Sequence, residues 1–302
     1  MDEFVHESVL PREALEFLQP RSGGIYADAT LGGGGHSAAI LEASAPSGRL
    51  FAIDRDPAAL EHARGRLAIY GERAQLVHGE FRDLPRLLRE AGISLVDGLI
   101  ADLGVSSPQL DAAARGFSFQ HDGPLDMRMD SSSGETALEL IARLSEHELA
   151  HILYHFGEER RSRPIARAIR AALAAGTLAT TADLRRAVVS AVGRPPGSKI
   201  DPATRTFQAL RIAVNDELGQ LEGLLAALPD ILADGGVAVV ISFHSLEDRR
   251  VKHAFRGDPR LTVLTKRPVI AGDDEQSHNR RARSAKLRAA RRTARVTAEA
   301  SP

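Results

Sequence analysis

The first hundred residues alternate short apolar runs with stretches of helical spacing. Residues 25–29 read as a strand closing in Asp28-Ala29-Thr30, and the glycine run Gly32, Gly33, Gly34, Gly35 separates it from a helical stretch over 36–43. A second apolar run, 50–53, closes at Asp54-Arg55-Asp56-Pro57, where Pro57 suits the start of a helix over 58–69. Residues 75–78 and 96–103 predict two more strands, with a helix near 84–90 between them. Strand and helix in alternation imply a parallel sheet wound by right-handed crossovers.

The pattern then changes. Residues 104–134 are rich in Gly, Pro, Ser and Asp and predict a long loop. From 136 to about 192 the period is helical, with a capping box at Ser145-x-x-Glu148 and a second helix start at Thr180 or Thr181. Residues 207–228 predict one further helix, 237–243 a strand buried on both faces, 246–255 a helix and 261–264 a strand. In 284–289 the small or apolar Ala285, Leu287 and Ala289 alternate with Ser284, Lys286 and Arg288, which predicts an edge strand with a cationic outer face. The simplest architecture is an α/β domain with a helical insertion between its fourth and fifth strands.

Composition narrows the chemistry. The chain has no cysteine, which removes disulfide scaffolds, cysteine zinc sites, iron–sulfur clusters and thiol nucleophiles together. No apolar run is long enough to span a bilayer, and Met1-Asp2-Glu3-Phe4 lacks a basic-then-apolar leader, so the expectation is a cytoplasmic protein with no membrane partner. The net charge of −1 hides an asymmetry: eight cations and no acid lie between Gln276 and Ala298. A basic end on an acidic body points to an anionic partner there, against the plain alternative of a solvated tail.

The glycine run between a strand and a helix is a candidate ligand loop, because backbone without Cβ atoms lets a ligand approach closely. Asp54, 21 residues after Gly33, is placed to accept both ribose hydroxyls of an adenosine ligand. The loop alone fits NAD, FAD and S-adenosyl-L-methionine equally. The fourth strand discriminates: it ends Asp102-Leu103-Gly104-Val105-Ser106-Ser107-Pro108-Gln109, similar to the acid/amide-Pro-Pro signature of amino methyltransferases. Methylating an exocyclic amine needs acceptors on its N–H groups, and Asp102 with the carbonyls near Ser106, Ser107 and Pro108 suits that task. The structural alternative for Ser106–Pro108 is a helix cap. Phe117 and Phe119 in Arg115-Gly116-Phe117-Ser118-Phe119 either stack on a base or anchor the loop. His147-Glu148-Leu149-Ala150-His151 matches a zinc-protease pattern, but Glu148 is committed to the Ser145 cap and the extra His155 lies about 12 Å along the helix from His147. No metal site is expected there.

Read in order, these segments resemble the ribosomal RNA small subunit methyltransferase H family over nearly the whole chain. The resemblance runs through Asp28-Ala29-Thr30, Gly33-Gly34-Gly35-His36-Ser37, Ala52-Ile53-Asp54-Arg55-Asp56-Pro57, His78-Gly79-Glu80-Phe81, Asp102 to Leu110, Asp122-Gly123-Pro124-Leu125-Asp126-Met127-Arg128, Pro202-Ala203-Thr204-Arg205, Ile241-Ser242-Phe243-His244-Ser245 and Arg281-Ala282-Arg283-Ser284. It departs at Asp201, where the family usually has His, and at Arg280, where it has Pro. It implies an S-adenosyl-L-methionine-dependent enzyme that methylates N4 of cytosine 1402 in 16S rRNA of the small ribosomal subunit. It also implies cofactor contacts at Gly34, Gly35, His36, Asp54, Phe81, Asp102 and Gln109. The absence of cysteine agrees, since methylation at cytosine C5 ordinarily uses a thiolate and N4 methylation needs no covalent adduct.

The expectation is therefore a class I, Rossmann-like methyltransferase sheet over 1–107 and 205–302 with an all-helical RNA-recognition insertion over 108–204. Gly33 joins the cofactor loop; Asp102, Ser106, Ser107 and Pro108 are the candidate catalytic groups. A cofactor-binding, RNA-binding assembly factor without catalysis, or a dehydrogenase on the same loop, are the rival readings.

Overall fold

The computed structural model describes residues 8–194, 197 and 200–293. They form two compact units, one of the described residues up to Gly104 together with those from Gly219 onward, the other Val105–Leu218. The second is longer than the 108–204 read from the sequence, because the helix over 204–215 packs inside it.

In the first unit, helix α1 (Pro11–Leu18) precedes strand β1 (Ile25–Asp28), and α2 (Gly35–Ala43), β2 (Arg49–Asp54), α3 (Pro57–Leu67), β3 (Ala74–His78), α4 (Leu84–Glu90) and β4 (Val96–Asp102) follow in strict alternation. The sequence reading did not include α1; its left-handed caps, Leu10 and Gln19, and its Pro start make it a short, self-contained turn of helix. After the second unit the chain returns through β5 (Leu232–Ser242), β6 (Leu261–Val263) and β7 (Lys286–Arg292). The strand order is β3-β2-β1-β4-β5-β7-β6, with β1 to β5 parallel and β7 antiparallel to both of its neighbours. This is the α/β, Rossmann-like sheet expected of a class I methyltransferase.

Strand alternation divides the core cleanly. Tyr26, Leu50, Ala52, Ile100, Val239 and Leu287 pack on one face of the sheet. Ala27, Phe51, Ile53, Leu99, Ala101 and Val240 pack on the other. Because both faces are covered, these strands read as continuous apolar runs. Strand order reverses between β1 and β4, and the crevice beyond their carboxyl ends is where such sheets hold ligands.

Strand β7 corrects the sequence reading. It lies between β5 and β6, not at the edge, and it extends to Arg292. Arg288 is buried and donates to Asp248 at 2.6 Å, and buried Arg292 donates to the Leu232 carbonyl at 2.8 Å and to the Pro229 carbonyl. These two cations are therefore used inside the fold, while Arg291 is exposed and Arg295 lies outside the described residues.

The second unit is helical: α5 (Ser107–Asp111), α6 (Ala137–Arg143), α7 (Glu146–Gly157), α8 (Ser162–Ala174), α9 (Thr181–Val192) and α10 (Thr204–Asn215). Thr136, Ser145 and Thr180 cap α6, α7 and α9 with reciprocal capping boxes. The stretch expected to be one helix from 207 is two, because Asp216 adopts the left-handed conformation at φ 46° before α11 (Glu217–Ile231). Buried Asn215 accepts the Met129 N–H at 2.8 Å and donates to the Met127 carbonyl at 2.7 Å, tying the long segment before α6 to α10. The remaining helices, α12 (Ser245–Gly257) and α13 (Asp273–His278), belong to the first unit. No described helix is long and apolar enough to cross a membrane.

Candidate active site

Three acids mark the carboxyl edge of the sheet: Asp28 ends β1, Asp54 ends β2 and Asp102 ends β4. The turn after β1 connects them. Asp28 accepts from Ser37 Oγ at 2.7 Å and from the Thr30 N–H at 3.0 Å. Thr30 Oγ1 in turn accepts the Asp102 N–H at 2.6 Å. Asp54 accepts the Gly32 N–H and the Asp56 N–H, each at 2.8 Å. The glycine loop is thus strung between the acids by backbone N–H groups and by the hydroxyls of Thr30 and Ser37.

The glycines divide the work. Gly32 (φ 50°) and Gly34 (φ 73°) adopt the left-handed conformation that makes the turn into α2. At Gly35 a Cβ would lie 2.0 Å from Ser8 Oγ, so that glycine answers to packing. The Gly33 carbonyl accepts from Arg66 Nη1 at 3.3 Å.

Burial sets the electrostatics. Desolvation pushes Asp28 up to about 7 and Asp54 up to about 6, against the N–H and hydroxyl donors that favour their charged forms. Burial also lowers the pKa of His36, so its imidazole is held neutral. His36 Nε2 lies 4.0 Å from Asp102 Oδ2, and Arg281 Nη2 lies 3.5 Å from the same oxygen. Three buried atoms of this cluster, His36 Nε2, Asp102 Oδ1 and Arg281 Nη1, have no hydrogen-bond partner among the described residues. Such atoms are costly to bury unmet, and their convergence fits a polar ligand.

Gly33, Gly34, Gly35, His36, Asp54 and Asp102 therefore come together as expected. Phe81 opens the 3₁₀ turn after β3 and is half-buried against the face carrying Phe51 and Ile53, so part of its ring is core. Ser106, Ser107, Pro108 and Gln109 belong to the helical unit, where Ser106 caps α5 and its N–H is accepted by Gln109 Oε1 at 3.0 Å. The cap expected as the structural alternative is present. Phe117 is buried and Phe119 meets Phe207 edge-on at 5.0 Å, so both anchor the loop. Glu148 is held in its capping box, and His147, His151 and His155 project from the surface of α7. Asp201, where the family has His, pairs with Arg185 at 2.8 Å and accepts the Ala203 N–H at 2.9 Å.

Sequence reasoning missed Asp28, Thr30 and Arg281 as members of this cluster. Asp28 carried a signal, as the acid at a strand end before a glycine turn. Arg281 stands in the Arg281-Ala282-Arg283-Ser284 segment that carries the resemblance, but as one of a run of arginines it has no spacing that points to this cluster.

Comparison with known proteins identifies the family. The chain is 63% identical over 287 residues to ribosomal RNA small subunit methyltransferase H of Sorangium cellulosum, covering 95% of this chain and 90% of that one. It is 53% identical over 306 residues to the protein of the same name from Geobacter sulfurreducens, covering 95% and 98%. A relative of that name from Anaeromyxobacter sp. is 51% identical, covering 95% and 97%. The family model described as the MraW methylase family matches residues 3–293. With the sheet order, the acids at its carboxyl edge and this match across nearly its whole length, the chain belongs to the MraW methylase family.

Proposed function

We propose that this chain transfers a methyl group from S-adenosyl-L-methionine to N4 of cytosine 1402 in 16S rRNA of the small ribosomal subunit, in the cytoplasm. The observation that carries the reading is the cluster at the end of β4, where unmet buried donors and acceptors lie beside a left-handed glycine turn. These residues fit the cofactor. Asp54 retains acceptor capacity for a ribose, and the neutral His36 and buried Asp102 supply polar atoms for the methionine end.

When bound, S-adenosyl-L-methionine supplies an activated methyl group on a cationic sulfonium. Asp102 accepts a hydrogen bond from the target amine and so orients its lone pair. The acids at the strand ends favour the positive charge of the donor.

Asp54→Ala is expected to weaken S-adenosyl-L-methionine binding roughly 10–100-fold, the value of a charge-assisted acceptor of about 1.5–3 kcal/mol. Calorimetry that returns the wild-type affinity removes Asp54 from the site.

The raised carboxyls also predict a pH dependence. In the folded free protein Asp28 and Asp54 hold protons to about 7 and about 6, whereas unfolded Asp releases them near 3.9. The folded state binds more protons over that interval, so the stability of the free protein falls as pH rises through it. A sulfonium nearby favours the charged carboxylates and releases those protons. Affinity for S-adenosyl-L-methionine is therefore expected to rise between pH 5 and pH 7.5 by about tenfold, the effect of one pKa unit, and then level off. S-adenosylhomocysteine, which lacks the sulfonium charge, should show a smaller rise. Parallel profiles for the two ligands would refute this electrostatic assignment.

The helical unit supports an RNA substrate. Between α7 and α8 lies a cleft of about 640 Å³ lined by His147, His151, Tyr154, Arg160, Arg163 and Arg167 among others. Exposed arginines suit phosphates, and an exposed tyrosine suits an unpaired base. Mass spectrometry of 16S rRNA from cells with and without the protein, with labelled methyl transfer by the purified chain, tests the function. An unchanged nucleotide and no transfer would leave the non-catalytic assembly-factor reading.

A further inference from the structure

The cluster at the end of β4 contains a cation with unused bonding capacity. Arg281 sits in the 3₁₀ turn Arg280–Arg283, where Asn279 Oδ1 accepts the Arg281 N–H at 3.1 Å. Its guanidinium carbon lies 4.7 Å from the centroid of the Phe243 ring. The Arg281 side chain is 14% exposed, and the Asp102 side chain 9%.

The pair is not closed. Arg281 Nη2 meets Asp102 Oδ2 at 3.5 Å, longer than the 2.7–2.9 Å of a strong charge-assisted bond. Nη1 of Arg281 and Oδ1 of Asp102 are buried and unmet among the described residues. A desolvated guanidinium with an open Nη1 is a site for an anion, and its planar fork matches a carboxylate or a phosphate. Burial of Nη1 disfavours an RNA phosphate, which arrives on a polymer, and favours a small ligand that enters the crevice. The other cation at the glycine loop, Arg66, already donates Nη1 to the Gly33 carbonyl.

We propose that Arg281 is a positioning residue that binds the α-carboxylate of S-adenosyl-L-methionine. The assignment rests on the cofactor reading above. Three acids at the strand ends favour a cationic ligand but repel its carboxylate; Arg281, stacked on Phe243, offsets that repulsion and sets the direction of the methionine arm. Neutral His36 does not supply the charge.

Titration calorimetry with two nucleosides tests this in the full-length protein. S-adenosylhomocysteine carries the carboxylate; 5′-methylthioadenosine lacks the whole amino-acid end. Arg281→Gln is expected to bind S-adenosylhomocysteine roughly 10–100-fold more weakly, the loss of a charge-assisted contact, with 5′-methylthioadenosine within about twofold of wild type. Arg281→Lys keeps a cation beside Asp102 but not the fork, and should show the same selective loss to a smaller degree. If the glutamine variant does not fold, the lysine variant decides. Equal losses for both nucleosides would show Arg281 to be only a counter-ion of Asp102, and unchanged S-adenosylhomocysteine affinity in a folded variant would also overturn the assignment. If the wild-type protein binds neither nucleoside, the cofactor reading itself falls, and this assignment with it.

Discussion

Asp102→Ala is expected to lower the rate of methyl transfer to 16S rRNA by about 10²–10⁴-fold, the range associated with a positioned acid–base group. Asp102 stands at the switch point of the sheet, at the end of β4 next to β1. Its backbone N–H is fixed by Thr30 Oγ1, which anchors the residue at the strand end. One oxygen faces His36 and Arg281 and the other is buried and unmet among the described residues. Removing the carboxylate leaves the largely buried Arg281 guanidinium without its counter-charge and so also costs stability. Rates are therefore compared at a temperature where each variant is folded. Asp102→Asn keeps one acceptor oxygen and should fall between wild type and alanine. The readout is initial rates with labelled S-adenosyl-L-methionine and undermethylated small subunits. Wild-type rates in both variants would take Asp102 out of the chemistry.

Arg292→Ala should lower stability by about 3 kcal/mol, while Arg291→Ala, one residue earlier, should change it by less than about 0.5 kcal/mol. The contrast follows from strand alternation. Arg292 points inward and donates to the carbonyls of Pro229 and Leu232, at the end of α11 and the start of β5. Its loss leaves two buried carbonyls without a charged donor. Arg291 sits opposite Val237 in the register of β5 with β7 and is exposed. Urea unfolding of the two variants measures the difference. Equal, small effects would mean that the C-terminal arginines are the solvated tail that charge counting alone predicts.

Much of the crevice proposed for the cofactor was legible because it is local. A strand that ends in an acid, followed by glycines and a helix, is a short-range pattern, and the chain fixes both the turn and the strand end within about ten residues. The three acids recur at the carboxyl ends of β1, β2 and β4, so alternation of strand and helix was enough to put Asp54 and Asp102 on one edge of a parallel sheet. The capping boxes at Ser145 and Thr180 were legible for the same reason: donor and acceptor are three residues apart.

What tertiary structure decided is long-range or depends on strand order. Small and cationic residues alternating over 284–289 look the same on an edge strand as on an inner one. Only the position of β7 between β5 and β6, with Asp248 opposite Arg288, buries Arg288 on that face. Arg281 meets Asp102 across 179 residues, a contact that no spacing rule reports. The break between α10 and α11 at Asp216 was invisible to periodicity because both helices bury apolar faces and the left-handed residue between them is a single aspartate. By itself the sequence determined the class of sheet, the glycine turn and the acids beside it, since these follow from local backbone preference and hydrophobic period. The fold alone decided which arginines are solvated and which are internal, because that depends on what lies opposite a side chain after the sheet has assembled.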